Sequence, residues 1–398
     1  MTTNAERYRT YRGIALFSMG FRPFFLGASL WAASAVPIWM ASYLGLLPQA
    51  QFTRDWHVHE MLFGYLSAVI AGFLLTAVPN WTGRLPVTGA PLMALFGLWV
   101  AGRFAMLVPS HELATAIVDA LFLFALAAVI TREVLAGRNI RNAPVCILVS
   151  ILGVANVLSH LGATSVGTAL LGERIGLAVV GMLATLIGGR IVPSFTRNWI
   201  AKRKHAPLPA ASGRFDATTL AITATALLSW SLWPISPATG IALLIAGLAN
   251  LARLLRWRGW RTFAEPLVSV LHAGYVWLAI AFTMMGASVV FSAYVPKAAG
   301  IHALTAGAFG VMTLAVMTRA SLGHTGQPLV ATPAIAAIYV LANIGAAIRV
   351  GAAFIPSLYT PLLATAAIVW SGAFVLFVVI FAPLLLRPSL ASKAARAT

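Results

Sequence analysis

The segment Trp56-His57-Val58-His59-Glu60-Met61-Leu62-Phe63-Gly64-Tyr65 sets two imidazoles and a carboxylate at the mouth of an apolar helix, in a chain with only eight His. Neutral imidazole is the commonest protein ligand for haem iron and for copper. Ionisable groups that enter a bilayer are costly enough to be functional suspects by default. His57 and His59 are two residues apart, so on a regular helix they diverge by about 200° and do not chelate one ion. They are expected to face different things.

The elements that must position these groups follow from composition. A chain of 398 residues with 60% hydrophobic residues, 9% charged residues and a mean hydropathy of +0.89 is a polytopic membrane protein. The expected fold class is all-α integral membrane with twelve transmembrane helices, starting near Phe24, His57, Pro91, Leu113, Ala143, Glu173, Asp216, Pro237, Pro266, Gly300, Thr332 and Pro361. No separate soluble domain fits between them, so residues 1–398 read as one polytopic domain with a short N-terminus (1–22) and a C-terminal tail (387–398). Arg190 to Phe215 reads as the longest loop, basic and proline-containing.

The formal charge of +18 raises the question of nucleic acid, but the basic residues alternate between loops. With Arg103 set aside as intramembrane, 22 of the 27 Lys and Arg fall on the side that holds the N-terminus, leaving Arg54, Arg174, Lys297 and Arg349 for the other. By the positive-inside rule both termini are expected in the cytoplasm, with no nucleic-acid partner. The lone Cys146 excludes an intrachain disulfide and cysteine-rich metal or iron–sulfur sites, which leaves His and carboxylates as the strong ligands. The first apolar run is a full span with no small-residue cleavage site, so no removable signal peptide is read.

Several motifs together resemble the NnrS family, bacterial inner-membrane proteins of the nitric oxide response described as carrying haem and copper. They are Gly20-Phe21-Arg22-Pro23-Phe24-Phe25, the His57 to Tyr65 segment, Gly72 through Gly83, Gly189-Arg190-Ile191-Val192-Pro193-Ser194-Phe195-Thr196-Arg197-Asn198, and His302 through Gly326. The resemblance implies haem of the b type, copper, and nitric oxide or a nitrosyl species as the molecule bound or reduced. Quinol or another carrier is the implied electron donor, and the bacterial cytoplasmic membrane the location.

With alternating helices, His57, His59, His302 and His160 fall at one periplasmic level, and Asn156 shares a helix face with His160. One of His57 and His59 is expected to ligate haem iron axially and the other to serve copper or a second haem. Glu60 is then copper ligand, proton carrier or hydrogen-bond partner of a ligand, and so the candidate catalytic residue. His302 leans towards haem and His160 towards copper. His272 and His324 lie towards the cytoplasmic side, as a second haem site or a proton entry. Arg54, Arg174, Arg349 and Lys297 are candidates to bind haem propionates.

Arg103 and Asp119 stand at matching depth on the antiparallel third and fourth spans and are expected to pair, locking the hairpin or relaying protons. Glu265 before Pro266 reads as an ordinary helix start. His111 reads as an exposed loop residue and His205, beside Lys202, Arg203 and Lys204, as a solvated one.

The second, sixth and tenth spans end in related Gly- and Thr-containing segments at an interval of four helices. This pattern is similar to three four-helix units, as in the core subunit of haem–copper oxidases. The sixth span has no His and breaks the analogy with a binuclear copper site. Twelve spans with repeats and internal prolines also suit a secondary transporter. A non-catalytic nitric oxide binder and a purely structural role complete the alternatives.

Overall fold

The computed structural model describes residues 11–108, 112–163, 165–203 and 207–388. Among them are twelve long helices, α1 (Phe21–Tyr43), α2 (Arg54–Thr82), α3 (Ala90–Leu107), α4 (Glu112–Ala136), α5 (Ala143–His160), α6 (Val166–Lys202), α7 (Arg214–Leu232), α8 (Pro237–Leu255), α9 (Pro266–Val290), α10 (Lys297–Thr325), α11 (Pro333–Ala352) and α12 (Tyr359–Leu386). Eleven are long and apolar enough to cross a membrane, and α7, rich in Thr, is the twelfth. The protein is a multi-pass membrane protein, as its composition requires.

Local chemistry sets the helix boundaries. Pro91, Pro144, Pro237, Pro266 and Pro333 stand in the first turns of α3, α5, α8, α9 and α11, where a missing N–H costs nothing. Thr53 caps α2 by accepting from Trp56 N at 3.2 Å. The observed starts lie within a few residues of expectation except for α6, which begins at Val166 and continues to Lys202. Most of the expected loop from Arg190 is therefore helix, which runs on through Pro193 to Lys202.

The described chain groups into two compact units, one drawn from its residues up to 179, from 317–329 and from 374–388, the other from those in 180–316 and 330–373. In the first, α1 packs on α2, α2 on α4, α3 on α4 and α4 on α5. Arg22, buried in the Gly20 to Phe25 motif, reaches the carbonyl oxygens of Leu385 and Arg387 at 2.8 and 2.6 Å and closes the end of α12. In the second, α8 packs on both α7 and α9, and the first half of α10 packs on α9 and α11. Trp233 and Tyr294 lie exposed at one end of these helices and Trp260 and Phe263 at the other, the placement of aromatic belts at two membrane surfaces. Outward-facing Phe104, Leu228 and Ile368 contrast with buried Arg103, Asp119, Asp216 and Arg253, so the polar groups are inside and the apolar ones out.

Helices α2 and α10 share an unusual build. Each begins with six α-helical residues, Arg54–His59 and Lys297–His302, and passes into seven π-helical residues, Glu60–Leu66 and Ala303–Phe309. Sixteen further α-helical residues follow in each, and the next residue is a left-handed glycine, Gly83 or Gly326. His59 and His302 hold the same place, the last residue before the wide turn. Gly64 and Gly307 hold the same place inside it, and a Cβ on either would run into a tryptophan of the preceding packed helix, Trp31 at 2.9 Å or Trp277 at 2.6 Å. Helix α6 carries no such wide turn.

Candidate metal centre

The two imidazoles of α2 meet different surroundings. His57 is half-buried and stacks on Trp39, ring centroids 4.4 Å apart, whereas His59 is buried and turns towards α4 and α5. Glu60, fully buried, begins the π-helical stretch. π-helical turns of this kind recur at functional sites.

Around His59 six side chains from four helices of the first unit form one network. His59 Nδ1 lies 3.0 Å from Glu60 Oε1, and His59 Nε2 lies 3.0 Å from Asn156 Oδ1 and 3.1 Å from Asp119 Oδ2. His160 Nε2 meets the same Asp119 Oδ2 at 3.0 Å, and Asn156 Nδ2 donates to it at 2.8 Å. Arg103 bridges Glu60 Oε2 and Asp119 Oδ1. Two glycines make room: a Cβ on Gly102 would stand 2.9 Å from Asp119 Oδ1, and one on Gly64 would stand 3.0 Å from Glu60 Oε2 and overlap Arg103.

The hydrogen-bond roles in this network depend on the charge of His59. Both ring nitrogens face a carboxylate, Nδ1 that of Glu60 and Nε2 that of Asp119, and a carboxylate only accepts. Asn156 spends its amino group on Asp119 and turns its carbonyl oxygen to His59. A neutral His59, with one ring proton, therefore leaves one nitrogen lone pair facing an acceptor. Glu60 and Asp119 bring two negative charges and Arg103 one positive, and all three are buried. A cation between His59 Nε2 and Asp119 Oδ2, either a second proton or a metal ion, removes the conflict in both hydrogen bonding and charge. One ligand atom from each of His59, Asp119 and His160 lies within 4.8 Å of the others, which is metal-site spacing. The Glu60–His59 contact is the carboxylate–histidine pairing that orients metal-bound imidazoles.

The remaining candidates are placed as follows. His302 is half-buried, with Nδ1 2.8 Å from Ala298 O. Arg349 is half-buried, its guanidinium 5.9 Å from the Tyr359 ring centroid and its Nη1 buried with no hydrogen-bond partner. Arg54 is exposed and pairs with Glu173 at 2.9 Å and Asp55 at 2.7 Å, Arg174 is half-buried, and Lys297 is exposed. His272 is buried, with Nε2 donating to Thr196 Oγ1 at 2.7 Å, while its Nδ1 has no hydrogen-bond partner. His324 is exposed, its ring 5.7 Å from that of Phe21. His111 and His205 lie outside the described residues.

The expected Arg103–Asp119 pair is present, and the structure adds that it belongs to the imidazole site. The equal depth of Arg103 and Asp119 and the four-residue spacing of Asn156 and His160 were its signals in the sequence. A second buried network had no expectation attached. In the other unit, Arg253 donates to Asp216 Oδ1 at 2.8 Å and to Thr185 O and Tyr275 Oη at 3.1 Å. Tyr275 donates to Asn250 Oδ1 at 2.7 Å, and Asn250 donates to Thr223 Oγ1 at 2.9 Å.

A search of curated proteins returned no match. The family described as NnrS protein matches residues 15–389, nearly the whole sequence, and the chain belongs to that family.

Proposed function

We propose that this protein is a haem- and copper-containing inner-membrane protein that binds or reduces nitric oxide or a nitrosyl species under nitrosative stress. What carries the reading is the cluster at His59. Two imidazoles, a carboxylate and an amide oxygen converge there, and this donor set accepts copper(II). In this reading His59, His160 and Asp119 hold the metal ion, and Glu60 orients His59 and serves as the proton-carrying group.

Haem belongs with His302. The hydrogen bond from its Nδ1 to Ala298 O makes Nε2 the basic nitrogen, the arrangement that iron-bound imidazoles use. Helix α11 packs against the first half of α10, and the buried Nη1 of Arg349 supplies a partner for a propionate. His57, His272 and His324 are further haem candidates, and Arg54 and Arg174 further propionate partners. The bound metals supply affinity for nitric oxide, and for turnover an electron donor such as quinol is required. The excess of Lys and Arg on the N-terminal side supports cytoplasmic termini and a site near the periplasmic face.

The test is purification in lipid, followed by metal analysis and an optical spectrum of the reduced protein before and after nitric oxide. A Soret band that shifts with nitric oxide, lost in His302→Gln, together with non-haem metal lost in His59→Gln and Asp119→Asn, is the expected result. Consumption of nitric oxide with quinol distinguishes reduction from binding. Purified protein free of both metals, or variants that retain both in full, would overturn the assignment.

A further inference from the structure

The hairpin of α4 and α5 carries a feature unrelated to the metal centre. On its outward face, at the arginine-rich end, lies a groove of about 320 Å³. Its walls are Val134 and Leu135 from α4 and Ala143, Cys146, Ile147 and Ile151 from α5. Ala143 to Ile151 spans roughly 12 Å of helix rise, so the groove is a slot along the membrane normal rather than a dimple.

The mouth of the slot is cationic and fixed in shape. Arg138 and Arg141 are both exposed in the short turn between the helices, and the chain enters α5 at Ala143. Arg138 holds a left-handed backbone, φ 52°, locked by hydrogen bonds from its own N to Leu135 O and from Asn139 N to Val134 O, each 3.0 Å. The side chain of Asn139 ties the same turn to Trp81 O. Arg132, also exposed, is committed to Glu133 together with Arg84. Two exposed arginines thus stand in the turn that joins the two walls of the slot, next to the first turn of an 18-residue helix.

We infer that the α4–α5 slot binds one anionic glycerophospholipid, its phosphate held by Arg138 and Arg141 and one acyl chain laid between Leu135 and Ile147. Charge complementarity selects this occupant: a neutral quinol head gains nothing from two arginines, and a zwitterionic lipid brings its own cation to them. The chain as a whole, at +18, is matched to an anionic membrane surface.

The single cysteine of the chain, Cys146, stands in the slot wall and reports its occupancy without mutation. In delipidated full-length protein, alkylation of Cys146 by a lipophilic maleimide is followed by intact mass. Dioleoyl phosphatidylglycerol is expected to slow the reaction on the order of tenfold, and the Arg138→Gln/Arg141→Gln variant to lose that protection. Equal protection by phosphatidylcholine or by a short-chain quinol, or protection by phosphatidylglycerol that survives in the double variant, would overturn the proposal. The wild-type comparison of lipids stands even if the variant folds poorly.

Discussion

Both units bury an arginine–aspartate pair between neighbouring antiparallel helices, Arg103 with Asp119 on α3 and α4, and Arg253 with Asp216 on α8 and α7. What surrounds each pair differs. Around Arg253 one positive charge meets one negative, and the chain of side-chain hydrogen bonds runs through Tyr275 and Asn250 to Thr223. Around Arg103 a second carboxylate and two imidazoles are added, and the charges balance only with a second cation, a proton on His59 or a metal ion. A satisfied buried network fixes helix packing, whereas an unsatisfied one is retained only where something else completes it.

The largest effect that tests this contrast comes from the aspartates. Asp216→Asn leaves Arg253 buried without a counter-charge, at a cost of about 3–5 kcal/mol in stability, whereas Asp119→Asn leaves Arg103 its second carboxylate, Glu60, and costs less. Thermal unfolding in detergent should fall for both, but only Asp119→Asn should also lose bound metal. Equal metal content in the two variants would erase the distinction. His59→Gln is expected to abolish metal binding, because it removes the ring nitrogen that lies beside Asp119 and Asn156. Added metal should then no longer raise the unfolding temperature, whereas it raises that of wild type.

Glu60→Gln keeps the shape of the site and weakens the orientation of His59, so metal affinity should drop about 10–100-fold, measured by competition with a chelator of known affinity. The smallest effect is expected from Tyr275→Phe in the closed network, about 1 kcal/mol with metal content unchanged. A loss of metal there would mean that the two networks do not act separately.

Much of this was legible in the sequence, and the exceptions share a cause. Composition and periodic apolar runs yield the helices, and residue counting along antiparallel spans matches Arg103 to Asp119. Glu60 and His59 stand out as polar groups at an apolar helix start. Which helix lies beside which is not written in any one helix, so the convergence of α2, α3, α4 and α5 on a single site had to come from packing. The π-helical turns were equally hidden, since their apolar residues carry no period that marks a wider turn. His57 and His59 were expected to diverge and do, yet only the structure assigns His57 to the ring of Trp39. The extension of α6 past Pro193 was missed because a basic, proline-containing stretch reads as a loop, whereas the helix continues through it.

Arg22 imposes an order on biogenesis. Its partners on α12 lie up to 365 residues downstream, so a nascent chain carries this guanidinium without them until nearly all of its helices have left the translocon. A product truncated before Leu384 therefore lacks every carbonyl that Arg22 meets at the end of α12.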